Sequence, residues 1–165
     1  MSKKKIAIIA VAVVVVIAAV VAVVVLSQPK NVEGTLEEIM TKVYAGIPAE
    51  ELPMGLTNTP VDAEMVEYFL GTTEVKYKEA LACEPMMSSV PHSVVLVRLN
   101  DAKDAEAAVA KIKESANPRK WFCVEAKNKI VESIGDLVIL IMTDSEGQTS
   151  AEVAPRLKAN FGGLK

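Results

Sequence analysis

The sequence predicts an α+β fold: an antiparallel sheet of four to five strands with helices packed on it, preceded by one N-terminal transmembrane helix. Three observations carry this expectation. An unbroken apolar run stands near the N-terminus. Capped segments with a 3.6-residue apolar period follow it. Between them lie short segments that alternate, or are apolar on both faces, and that succeed one another closely enough to pair as hairpins.

The apolar run is Ile6 to Leu26, 21 residues of Ile, Ala, Val and Leu without one polar side chain. As a helix it would be about 31 Å long, matching a hydrocarbon core of about 30 Å. A cleaved signal peptide has a shorter apolar core and ends at an A-x-A-like site. Here "VVVLSQPK" offers no such site, and no Cys near Leu26 could take a lipid. Residues 6–26 therefore read as an uncleaved signal anchor with the lipid bilayer as partner. Lys3, Lys4 and Lys5 precede it, so residues 1–5 form a basic tail expected to stay in the cytoplasm. The chain then crosses the plasma membrane once, and its C-terminal domain is extracellular. All 21 acidic residues fall after the run, against 15 of the 18 basic ones, a balance of −6. That balance argues against nucleic acid and against docking on anionic lipid.

Residues 27–34, "SQPKNVEG", read as a linker broken by Pro29. The extracytoplasmic domain is expected over residues 35–165. "TLEE" at Thr35 is a capping box, and Leu36, Ile39, Met40, Val43 and Tyr44 form one apolar stripe behind it. Gly46 and Pro48 end that helix. "IPAEELPMGLTNTPVD" reads as a loop with three prolines. A short helix capped by Asp62 carries Met65, Val66 and Phe69 and stops at Gly71.

A strand with one wet face is expected around Val75, Tyr77 and Leu81, interrupted by "CEPMMSSVP". "HSVVLVRLN" is apolar on both faces and therefore central. Asp101 opens a helix lined by Ala105, Ala108, Val109, Ile112 and Ala116, which Asn117-Pro118 closes. A hairpin follows: Lys129 to Ser133, a turn at Gly135-Asp136, and Leu137 to Thr143. A last helix from about Ser150 carries Val153, Leu157 and Phe161 and ends at Gly162-Gly163. The helices are expected to cover one face of the sheet.

Five residues stand out as candidates for chemistry. His92 is the chain's single histidine, near Ser88 and Ser89, but the stretch lacks the glycine framing of a nucleophile elbow. It reads as a strand-end histidine, exposed or satisfied. Cys83, Met86, Met87 and His92 fall within ten residues, a set suited to Cu(I), at a spacing that matches no metal motif. Arg98 lies on an apolar strand face and needs a partner, for which Glu79 on the preceding strand is the candidate; an anion site is the alternative. Trp121 and Cys123 lie in "NPRKWFCVEA". If that segment is extended, Trp121, Cys123 and Glu125 share one side, and Phe122, Val124 and Ala126 the other. Arg119 and Lys120 then sit just past a helix C-terminus, where the macrodipole favours cations. The cluster therefore reads as core and helix stop. Cys83 and Cys123 are the only cysteines, too few for a disulfide framework, and are expected to remain free thiols. No catalytic, cofactor-binding or metal residue is assigned, and no cofactor is expected.

"EPMMSSVPHSVVLVRLNDAKDAEAAVAKIKESANPRKWFCVEA" and "ESIGDLVILIM" resemble a family of small extracytoplasmic domains of unknown function from Gram-positive, clostridia-type bacteria. The most specific pieces are Pro118-Arg119-Lys120-Trp121 and Gly135-Asp136. The resemblance covers roughly Leu36 to Thr143. It implies a membrane anchor or a lipid-bearing Cys at the N-terminus; this chain lacks the latter. It brings no activity, cofactor or partner. The expected role is a membrane-tethered binding or interaction domain without catalysis, its partner an envelope protein or small ligand. The alternative is a small cell-envelope hydrolase or metal-handling module.

Overall fold

The computed structural model describes residues 31–87, 89–144 and 150–164. The expected basic tail, transmembrane segment and first part of the linker lie outside the described residues. Among the described residues, no helix is long and apolar enough to cross a membrane.

Five antiparallel strands form one sheet: β1 (Leu56–Pro60), β2 (Tyr77–Pro85), β3 (His92–Leu99), β4 (Asn128–Ile134) and β5 (Leu137–Thr143). Their spatial order is β1-β2-β3-β5-β4. The fold is α+β, as the alternation of elements predicts. The central strands β3 and β5 are buried along their whole length, which is why both read as apolar on two faces.

The helices lie on both faces of the sheet rather than on one. Leu81, Leu96, Ile139 and Ile141 share one core with α1 (Leu36–Val43) and α4 (Val153–Gly162). Ala82, Val95, Val97, Leu140 and Met142 share the other with α2 (Val66–Leu70) and α3 (Ala105–Ser115). Doubly apolar strands demand a cover on each side, because bare apolar surface costs roughly 25 cal/mol per Å².

Local signals set the helix ends. The Thr35 hydroxyl accepts the Glu38 amide while the Glu38 carboxylate accepts the Thr35 amide, so the capping box is complete. At the other end of α1 the Asn160 amide donates to the carbonyls of Val43 and Ala45, each at 2.9 Å. This satisfies carbonyls a helix end leaves open, and it ties α4 to α1. Asp62 accepts the amides of Glu64 and Met65 ahead of α2. Gly71 closes α2 with φ of 73°, and a Cβ there would lie 2.0 Å from the Ser115 carbonyl oxygen. Only glycine permits both the left-handed turn and the approach to α3.

Three expectations are corrected. The proline-rich stretch before Asp62 contains β1 and a short 3-10 turn at Ala49–Glu51. β1 escaped notice because four of its five residues are exposed at the sheet edge, so no apolar period marks it. The strand expected at Val75–Leu81 starts at Tyr77 and runs on through Pro85, and Ala80 to Cys83 are buried on both faces. The linker ends early: Val32 is buried, and its carbonyl and that of Gly34 are bound to the sheet.

Candidate functional site: three polar clusters and an exposed end of the sheet

Arg98 lies near the C-terminal end of β3, on the α1/α4 face. Its Nε donates to Glu79 at 2.8 Å, one terminal nitrogen to the Val32 carbonyl and the other to the Gly34 carbonyl, both at 2.8 Å. Asp136, in the β4–β5 turn, lies 3.5 Å away. The expected partner Glu79 is therefore found, and two carbonyls of the domain's first residues are added to it. All three guanidinium nitrogens are engaged and the side chain is buried. The geometry serves a structural hub, not the anion site held as its alternative.

His92 opens β3, six residues from Arg98 and on the same face, so about 20 Å of strand separates them. It is fully buried rather than exposed. Its Nε2 lies 2.7 Å from the Tyr44 hydroxyl, while its Nδ1 has no hydrogen-bond partner among the described residues. Burial pulls its pKa down to about 4, so the ring is neutral at pH 7. Cys83, whose thiol burial pushes above its ordinary value, lies beside Tyr44 on the same cleft. Cys83 and His92 thus meet through Tyr44, a residue the sequence offered only as part of a helix stripe. A shallow cleft of about 240 Å³, lined by Met40, Tyr44, Leu56, Asn58 and Cys83 among others, reaches the thiol side of this chain. A thiol held protonated by burial beside a neutral histidine is not an activated nucleophile. Met86 and Met87 do not join this pair. They lie exposed beyond β2, so the four-residue Cu(I) set of the sequence is not assembled.

The third cluster is Lys120. Expected as a helix-end cation, it is buried on the α2/α3 face. Its ammonium pairs with Glu84, lies 3.2 Å from Ser93 Oγ, and stands over three rings: Tyr68 at 4.6 Å, Phe69 at 4.8 Å and Trp121 at 5.2 Å. Burial lowers its pKa, and the Glu84 carboxylate opposes that shift. Ring quadrupoles and the carboxylate together replace the water the ammonium has lost. A serine and a lysine at this distance have the parts of a catalytic dyad. Ser93, however, is fully buried, and Glu84 holds the lysine proton. The cation at the α3 C-terminus is instead Lys129, which donates to the Ala116 carbonyl at 3.2 Å.

Trp121 is core, 7% exposed, as expected. Phe122 is not: it is 75% exposed. Cys123 has φ of 60°, which breaks the strand-like alternation, and the Ala126 amide bonds back to the Pro118 carbonyl to close a loop. Cys123 is an exposed free thiol in a cleft of about 360 Å³ with Arg119, Trp121, Val124, Glu125 and Lys127. Cys83 is also free, buried in the core of the opposite sheet face.

No described group of three or more His, Cys, Asp or Glu side chains could hold a metal ion. Large apolar side chains remain exposed at the β1–β2 end of the sheet and beside the Lys120 cluster: Met54, Met86, Met87, Tyr68 and Phe122. Among the five candidates, the structure joins only Cys83 to His92. It separates both from Arg98, Trp121 and Cys123. Lys120, Glu84 and Tyr44 were missed as partners because their contacts bridge 36 and 48 residues of sequence. The one local hint was a lysine placed directly before the only tryptophan. No protein-family model, curated protein or solved structure matches this chain.

Proposed function

We propose that the chain is a membrane-tethered, outward-facing domain that binds a partner in the cell envelope and carries out no catalysis. The observation that carries this reading is how the polar groups are spent. Arg98, Lys120 and Tyr44 are all closed by internal partners, and the Cys83 thiol that shares a shallow cleft with Tyr44 is held protonated by burial. What the surface offers is apolar: Phe122, Tyr68 and the methionines at the β1–β2 end. Exposed apolar side chains of this size are the common currency of docking surfaces.

The tether is supported by the lysines at 3 to 5 followed by 21 apolar residues. The resemblance to extracytoplasmic domains of Gram-positive bacteria points the same way. Protease added to intact protoplasts should remove the domain, whereas full protection would reverse the orientation. Binding is tested by placing a photo-crosslinking amino acid at Phe122 in the intact cell. A discrete adduct of one mass supports docking at this loop; no adduct at all would remove the interaction reading.

A further inference from the structure

We propose that the free edge of β4 and the adjoining side of α3 form a twofold interface between two copies of this chain. β4 is an end strand of the sheet, and no strand lies beyond it among the described residues. It pairs with β5 in unbroken register from Asn128 opposite Thr143 to Ile134 opposite Leu137, around the two-residue turn Gly135-Asp136. Residues flanking such a turn form a hydrogen-bonded pair, and the pattern alternates from there. Ile134, Glu132, Ile130 and Asn128 therefore direct their backbone groups at β5. Lys129, Val131 and Ser133 direct theirs outward, where no backbone partner meets them among the described residues. The opposite edge of the sheet is protected: β1 is exposed and polar and ends at Pro60, which has no amide to offer. β4 has no proline and no bulge. Its charged groups are tied inside the domain, Lys129 to the Ala116 carbonyl and Glu132 to Lys158.

The edge and the helix beside it are self-complementary, which selects a second copy as the occupant. Antiparallel pairing centred on Val131 sets Val131 against its own counterpart and Lys129 against Ser133, and it uses every outward residue of both strands. Each such pair exchanges two hydrogen bonds. On the other sheet face Ile130 comes opposite Glu132, so no like charges meet. α3 runs against β4. Lys129 binds the Ala116 carbonyl at the end of α3, and a cleft of about 580 Å³ joins Ala102, Ala105, Glu106 and Val109 to Val131 and Ser133. α3 lies over β4 and less closely over β5. With strands about 4.8 Å apart, a twofold axis beside β4 brings the two α3 helices within roughly 8–10 Å, the ordinary packing distance. Val109 shares the cleft with Val131, so the axis passes close to it. Glu106 lies three residues before Val109 and Lys113 four after, so Glu106 of each copy meets Lys113 of the other. Both are exposed, and neither has an ion-pair partner among the described residues. Within one chain they stand about 10.5 Å apart along the helix, too far to pair. The inference rests on neither the tether nor the Phe122 loop.

The test uses the full chain in cells with Cys123→Ser throughout, as two differently tagged versions made together. One carries Lys129→Cys and the other Ser133→Cys. The probe is a short, membrane-permeant bis-maleimide, and Cys83 is buried and common to every arm. The two versions should be linked to each other. Two Lys129→Cys versions, or two Ser133→Cys versions, should link about tenfold less, because like positions lie about 13 Å apart along the ladder. Adding Glu106→Lys to both versions should cut the adduct about tenfold or more, since cations then face each other on both sides of the axis. Adding Lys113→Glu as well should restore it. Both positions are exposed, so the fold tolerates these changes. No adduct, an adduct only to a different protein, equal linking of like-marked versions, indifference to Glu106→Lys, or no restoration by the charge exchange would each overturn the proposal.

Discussion

Glu79 faces Arg98 across the β2–β3 ladder because Lys78 is bulged out between them: Tyr77 pairs with Leu99, and the next paired residue of β2 is Glu79, opposite Arg98. Unbroken pairing would set Lys78 against Arg98, two cations face to face, which is destabilising. The bulge exchanges that repulsion for an ion pair at 2.8 Å. It also reverses the parity of the strand. Tyr77 packs with the α2/α3 core, and Leu81 with the α1/α4 core.

Arg98 couples this ladder to the first residues of the domain, so the point at which the chain begins should matter. A chain started at Lys30 should fold and stay soluble. One started at Thr35 loses the Val32 and Gly34 carbonyls that Arg98 donates to. Each is a charge-assisted bond worth about 1.5–3 kcal/mol, so the shorter chain should be less stable by about 3 kcal/mol or more. Equal urea midpoints for the two would show that Arg98 needs only its carboxylates. Glu79→Gln should cost less, about 1 kcal/mol or below, because Glu79 is half exposed and Asp136 remains.

Lys120 should be sensitive to single changes and tolerant of a paired one. Lys120→Met leaves the Glu84 carboxylate, itself largely buried, without its cation, and about 3 kcal/mol of stability should be lost. Adding Glu84→Gln to it should restore most of that loss. A double variant no better than the single would mean that the rings, not the ion pair, dominate the site. Trp121→Ala, which opens the same cage and the core behind it, should cost about 3 kcal/mol or more with no such rescue.

His92 makes stability depend on pH. Its pKa falls from 6.5 to about 4 on folding, so the unfolded chain takes up a proton first as pH drops. Its contribution is fully present above about pH 6.5 and is lost as the pH falls to about 4. The full shift corresponds to about 3 kcal/mol. His92→Gln should flatten this part of the stability profile while lowering stability at pH 7 by disturbing the bond to Tyr44. Denaturant midpoints at pH 7 and pH 4.5 for both proteins check it. An equally steep acid loss in His92→Gln would assign the effect to other groups.

The two thiols should behave differently. Cys123 is exposed and Cys83 is buried, and neither is bonded to the other. Alkylation of the native protein without reductant should add one group, at Cys123. Alkylation after unfolding, again without reductant, should add two. No addition until reductant is supplied would reveal a disulfide.

The sequence alone determined the elements whose physics is local. The Thr35–Glu38 capping box, the left-handed stop at Gly71, the Gly135-Asp136 turn and the doubly apolar strands β3 and β5 each follow from neighbours a few residues apart. Even Glu79 as the partner of Arg98 was legible, because a buried cation needs a carboxylate and the preceding strand held one in reach. Only the tertiary structure decided the rest. Alternation says that a strand has two faces but not which helix covers each, so the split of α1 and α4 from α2 and α3 could not be read. β1 is polar and exposed, and its pairing with β2 alone makes it a strand. Lys120 looks like any surface lysine until Tyr68, Phe69, Glu84 and Ser93 arrive from three other elements to enclose it. His92 likewise stays neutral down to about pH 4 only because the fold gives it a dry interior. Desolvation depends on everything that packs around a group, and that is a sum over distant parts of the chain.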